Sequence, residues 1–280
     1  MKANLITNAV IGLGLVALPL WAGDEEQRHA FKDLPTHAQV LAALKSAVTN
    51  GNNAGIGLNM WATIVNRDGV VARVAFSGSD RGDQWPGSRV ISAQKANTAN
   101  AFSLPGLALS TANLYSAVQP GGSLFGLQES NPVDTSVAYK GPSKNYGQPN
   151  DPMVGSKIGG INVFGGGLAL YNSQGKLVGG LGVSGDTSCT DHIIAWKIRD
   201  ALGLDNVPAG VSPTHDDNII FDIAPDANGH PVSASGFGHP LCDSAALTIS
   251  TNLPSTHPIG QQFHVNLVTD GTIPVRPFLP

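Results

Sequence analysis

The chain has 280 residues, and 41% hydrophobic content with a net charge of −4 places it among folded proteins and excludes disorder driven by charge. Sixteen basic residues against twenty acidic ones leave no positive field for a phosphate backbone, which excludes nucleic acid as a partner. Charged residues make up 13%, and there are 34 glycines and 19 prolines, the composition of a turn-rich protein with a lightly charged surface.

Lys2 precedes a charge-free stretch, Ala9 to Leu18, that has the length of a signal-peptide core and is too short to span a bilayer. Residues 1–22 read as a signal peptide cleaved after Ala22, with an uncleaved anchor as the alternative. Residues 23–35 then form a linker, 36–203 the main domain and 204–280 a C-terminal extension that packs on it. No later run has the length of a membrane helix, so the mature chain is expected in the periplasm or outside the cell, with no transmembrane segment.

Thr36 can cap a helix whose apolar positions Val40, Leu41, Leu44, Ala47 and Val48 share one face and which ends near Asn50-Gly51. Two apolar runs, Asn59 to Val65 and Val70 to Phe76, flank Asn66-Arg67-Asp68-Gly69 and read as a β-hairpin. Ser88 to Ala101 has helical composition, and Leu107 to Val118 is a second helical piece stopped by Gln119-Pro120-Gly121-Gly122. Residues 131–157 lack periodicity and are read as a surface loop. Ile161 to Tyr171 and Lys176 to Val183 form a second hairpin through Asn172-Ser173-Gln174-Gly175, and a final helix runs from about Thr190 to Leu202 with Gly203 as its terminator. In the extension, Asn218 to Phe221 and Gln262 to Val268 are strand-like. Two hairpins separated by helices imply an α+β fold with an antiparallel sheet, not alternating βαβ units.

That order excludes a nucleotide-binding reading of Gly165-Gly166-Gly167, which sits in a hairpin arm and not between a strand and a helix. Glycines in a strand allow a bulge, a close backbone approach or contact with a flat ligand. Ser184, in Gly182-Val183-Ser184-Gly185, misses the spacing of a serine-hydrolase nucleophile. Cys189 and Cys242 can close one disulfide in an oxidising compartment; two separate buried thiols are the alternative.

Ile64 to Phe76, the segment Ser92-Ala93-Gln94-Lys95-Ala96-Asn97-Thr98-Ala99, Gly165-Gly166-Gly167-Leu168, and Leu177 to Gly185 before an Asp-containing helix together resemble the GlcG/HbpS haem-binding family. The C-terminal domain of PduO-type corrinoid adenosyltransferases belongs to the same family. The resemblance covers about residues 36–203. It implies a profilin-like α/β/α sandwich with a five-stranded antiparallel sheet, homo-oligomerisation, and binding of haem or a related tetrapyrrole. Asn66 stands where an Asp is usual in the family hairpin, and the extension lies outside the resemblance.

With haem as the implied cofactor, iron would need an axial ligand, and histidine is the commonest. His37 and His192, each at the start of a helix, are the candidates, because a helix N-terminus favours the neutral imidazole that ligates. Lys95, with Arg73 and Arg89, could pair with propionates, and Ser184 in the glycine-rich loop joins the cofactor-binding set. In the extension, His215, Asp216, Asp217, Asp222, Asp226, His230, His239 and Asp243 could cluster around a metal, although no tight ligand spacing supports it. The expected function is an exported haem-binding protein that carries or senses haem. A small-molecule enzyme of unknown reaction and an accessory subunit of an exported oxidoreductase are the alternatives.

Overall fold

A computed structural model describes residues 30–260. The signal-peptide segment and the strand-like Gln262 to Val268 lie outside the described residues. Helix α1 (His37–Thr49) begins at Thr36, whose side chain accepts from the Gln39 N–H while the Gln39 side chain accepts from the Thr36 N–H. This reciprocal cap satisfies two orphan donors of the first turn. Strands β1 (Trp61–Asn66) and β2 (Val71–Phe76) form the first hairpin. Val65 pairs with Val71 and Ile64 with Arg73, so Ala72 is bulged. The bulge turns Arg73 towards α1, where its Nε donates to the Pro35 carbonyl at 2.9 Å.

Helix α2 (Gly87–Phe102), strands β3 (Gly167–Tyr171) and β4 (Leu177–Ser184) and helix α3 (Ser188–Ala201) complete the central unit. The sheet order is β2-β1-β4-β3 with every pairing antiparallel. Helix α2 packs on one face; α1 and α3 pack on the other, where Val40, Leu44, Ile64, Leu168, Leu181, Val183, Ile194 and Trp196 form the largest apolar core. The central sheet has four strands where five were expected. At its two edges, further pairing is reduced to single bridges, Val70 to Lys157 beside β2 and Tyr171 to Asp205 beside β3.

Glycine decides how close α2 lies. A Cβ on Gly180 would meet the backbone of Ala96, and one on Gly182 the backbone of Ser92 and Ala96. The side of the glycine-rich arm open to a flat ligand in the sequence reading is occupied by α2 itself.

Three other expectations are corrected. Residues 131–157 are not a free surface loop: Ala138 and Met153 are buried against Trp61, Val74, Phe76 and Val90. Arg89 pins this segment, pairing with Asp151 and lying 3.6 Å from the Tyr146 ring centroid. The helical piece at Leu107 to Val118 is two 3-10 turns, Thr111–Leu114 and Ser116–Val118, because Ser110 and Asn113 cap each other across the first. The arm Ile161 to Tyr171 becomes a strand only from Gly167, since Gly166 takes φ +114° and breaks the extended run.

Within the described residues the extension is ordered. Asn218 to Phe221 forms no strand, although Ile219 and Ile220 are buried; a small hairpin follows, β5 (Ile223–Pro225) with β6 (Pro231–Ser233). Helix α4 (Ser244–Thr256), capped by Asp243, packs on α3 through Ala246 and Leu253. The buried pair Arg199–Asp217, at 2.7 Å, fastens the extension to α3. Among the described residues no helix is long and apolar enough to cross a membrane.

Candidate functional site

The glycine-rich loop joins β4 to α3, and its polar groups are held inward. Asp191 on α3 accepts from the Gly185 and Asp186 N–H groups and from Lys95 Nζ at 2.6 Å. Lys95 also donates to the Val183 carbonyl at 3.1 Å. Gly166 makes room for this crossing, because a Cβ there would stand 2.9 Å from that of Asp191 and 3.2 Å from Lys95 Nζ. Burial pushes the Asp191 carboxyl up to about 6 against the opposing pull of Lys95. Asp186 accepts from the N–H groups of Ile56, Gly57 and Leu58 and so ties the segment before β1 to the loop. Ser184 is 4% exposed at the end of β4, paired opposite Trp61.

Two histidines flank Gly165. His192 is wholly buried on α3, with Nε2 3.2 Å from the Ile219 N–H and 3.3 Å from Asn218 Oδ1, while Nδ1 has no partner. Burial, with Arg199 nearby, lowers its pKa to about 3. His239, from the extension, donates from Nδ1 to the Pro240 carbonyl at 2.7 Å, which leaves Nε2 to accept from the Gly165 N–H at 3.4 Å. Burial lowers its pKa to about 4. Its ring lies 5.2 Å from that of Tyr115. The disulfide Cys189–Cys242 closes beside it. In the sequence, His239 stands only among scattered extension histidines and acids, and among the described residues no group of three or more metal-ligating side chains forms.

His37 lies elsewhere, half-buried at the start of α1. Its Nε2 is 2.9 Å from the Gly147 carbonyl, which can only accept, so Nε2 carries the proton. Nδ1 makes no hydrogen bond among the described residues. An imidazole with one nitrogen fixed by a backbone carbonyl and the other open is oriented as metal-ligating histidines are. Beneath Gly147 lie the stacked rings of Trp61 and Phe76, 4.4 Å apart. Arg73 is half-buried against Phe31, with Nε on Pro35 and Nη1 on the Ala72 carbonyl.

The candidate residues are therefore not one cluster. His192, Lys95 and Ser184 gather at the glycine loop, His37 and Arg73 at the α1 start, and Arg89 in its pair with Asp151. A cleft of about 560 Å³ between α1 and the end of α3 is lined by residues including Gln39, Ala42, Ser46 and Leu202. No histidine, tyrosine, methionine or cysteine lines it, and His37 falls on the opposite face of α1.

Residues 36–199 match the family described as haem degrading protein HbpS-like. Among solved structures, the chain is similar to a PduOC–heme complex at 24% identity, covering 62% of this chain and 94% of that one with a TM-score of 0.42. It is also similar to Klebsiella pneumoniae protein ORFY, assigned to the DUF336 family, at 25% identity, covering 60% and 90% with a TM-score of 0.41. No curated protein matches the sequence.

Proposed function

The chain belongs to the HbpS-like family of haem degrading proteins, and from that premise we propose that it is an exported haem-binding protein with His37 as an iron ligand. The observation that carries the assignment is the His37 imidazole: half-exposed, with Nε2–H held by Gly147 and Nδ1 open. His192 does not fit the role, because its ring is fully enclosed. Lys95 and Arg89 do not fit as propionate partners either, since each is 2% exposed and committed to a buried carboxylate. Arg73 fits better, being half-buried, with Nη2 outside the bonds made by Nε and Nη1. Bound haem supplies iron redox and ligand-exchange chemistry; this chain's part is to present the His37 imidazole in a fixed orientation, with the Arg73 guanidinium as a separate cation held at Pro35. Export is supported by the disulfide, which persists in oxidising compartments.

A haemin titration of the full mature chain, followed in the Soret band, tests this reading. Saturable binding with a shifted band is expected, and His37→Ala should weaken it by tenfold or more while leaving the thermal midpoint within a few degrees. Absence of any shift at micromolar haemin rejects haem binding; an identical spectrum and affinity in His37→Ala rejects the ligand assignment.

A further inference from the structure

Whether a disulfide is a permanent staple or a bond that thiols open depends on access to a sulfur and on how well the displaced thiolates are stabilised. Cys189 and Cys242 differ in both respects. Cys189 is wholly buried in the first turn of α3, whereas Cys242 is exposed on the extension. Cys242 Sγ lies at the N-terminus of α3, 3.3 Å from the Cys189 backbone N–H and 3.7 Å from the Ser188 hydroxyl. A thiolate at that place receives one of the unpaired N–H groups of the helix and the positive end of its dipole, which together lower a thiol's pKa.

The bond holds a short strap across the glycine arm. His239 covers Gly165 through Nε2, and the Pro240 carbonyl lies 3.6 Å from Cys189 Sγ. Both ends of the strap are fixed without sulfur. On one side the Ser116 hydroxyl donates to the Gly238 carbonyl at 2.6 Å and the His239 N–H to the Ile220 carbonyl at 2.8 Å. On the other, Asp243 caps α4 by accepting from the Ala246 N–H at 2.8 Å. Opening the bond therefore slackens Pro240 to Cys242, whose Pro240 carbonyl holds the His239 ring through Nδ1, and leaves the rest of the extension fastened through Arg199–Asp217 and α4.

We propose that Cys189–Cys242 is a thiol-addressed latch that a dithiol opens in the folded chain, lifting the strap from Gly165. A thiolate of the dithiol attacks the exposed Cys242 Sγ; the intramolecular S–S bond breaks and Cys189 leaves as a thiolate that takes up a proton. The second thiol of the reductant then attacks its own sulfur in the mixed disulfide and expels Cys242 as the thiolate that the α3 N-terminus stabilises. The protein disulfide gains two electrons and one proton, the dithiol becomes a cyclic disulfide, and the dithiol's other proton passes to water because Cys242 is left as the thiolate. The latch controls access to the Gly165 N–H and to the imidazoles of His239 and His192, and it stands whether or not the chain binds haem.

Dithiothreitol titration of the native full chain, with acid quench, alkylation and mass spectrometry, gives the first test; amide hydrogen exchange on the same samples gives the second. Reduction is expected without denaturant, with exchange at the Gly165 amide, which donates to His239 Nε2, accelerating a hundredfold or more while β4 and the body of α3 keep their protection. In the reduced chain, Cys242 should be alkylated near pH 6 at least tenfold faster than in a peptide of residues 238–246. The Cys242→Ser variant, which needs no reductant, should show the same local exchange. Reduction that tracks global unfolding in urea, unchanged protection once the bond is open, or alkylation no faster than the peptide's would each overturn the proposal.

Discussion

Lys95 and Asp191 meet at 2.6 Å around the end of the sheet, one from the helix on its first face and the other from the helix on its second. They lie 96 residues apart in sequence, and with both side chains nearly sealed from water the pair joins the two outer layers of the sandwich. Breaking it leaves one charge buried without a partner, which costs about 3–5 kcal/mol, more than a well-packed apolar pair in the same place. Lys95→Met should lower the unfolding free energy obtained from urea titration by that amount, and Lys95→Met with Asp191→Leu should recover a large part of it. A double variant as unstable as the single one would show that packing, not charge, dominates there.

The buried titrating groups set how stability varies with pH. His192 and His239 have folded pKa values of about 3 and 4, below the unfolded value, so their contribution is full above about pH 6.5 and lost as pH falls towards those values. Asp191 is the opposite case: raised to about 6, its contribution is full below about pH 3.9 and lost as pH rises through 6. Among these three groups two protons oppose one, so they make stability rise with pH between about 4 and 6, while Asp205, also raised by burial, acts in the same sense as Asp191. His239→Gln should flatten that slope and Asp191→Asn should steepen it. Urea midpoints measured at pH values across this interval check both; an unchanged slope in either variant contradicts the assignment.

Helix α2 rests on glycine because nothing larger fits between it and β4. At Gly182 a methyl group would enter the backbone of Ser92 and Ala96. Gly182→Ala should therefore destabilise by about 3 kcal/mol, the upper range for overpacking. Gly87→Ala, in the first turn of the same helix with nothing within 4 Å of the new methyl, should instead stabilise by about 0.5–1 kcal/mol. Opposite signs in thermal unfolding identify the steric cause.

The extension is held by one buried guanidinium–carboxylate pair. Arg199 and Asp217 are both fully buried, with two contacts of 2.7 Å, and the Trp196 ring lies 4.9 Å from the guanidinium carbon. Asp217→Ala should cost about 3–5 kcal/mol and make the segment between α3 and α4 the first site of limited proteolysis. Resistance equal to the parent chain would mean that α4 alone fastens the extension.

What the sequence discloses is local. The Thr36 cap, the Asp68-Gly69 turn and the Gly203 terminator each lie within or next to one element, and each produced the element expected. The cover formed by residues 131–157 escaped notice because its buried residues, Ala138 and Met153, stand singly among polar neighbours and carry no period. Helix α4 had a signal, Asp243 followed by Ala246, Ile249, Ser250 and Leu253 at helical spacing, diluted by serine and threonine. The proximity of His239 to Gly165 had none: 74 residues separate them, and a single histidine after a turn has no pattern to read. The glycine arm could be marked as unusual, but not the fact that the chain's own helix fills it.

Arg199 is the last residue of the segment that matches the family, and the carboxylate that neutralises it comes eighteen residues later. During synthesis the family segment is complete before Asp217 has been added, so for that interval α3 must either expose the guanidinium or wait. The boundary drawn by sequence likeness is thus not a boundary of cooperative folding: the last helix of the matched segment reaches its final burial only once the extension arrives.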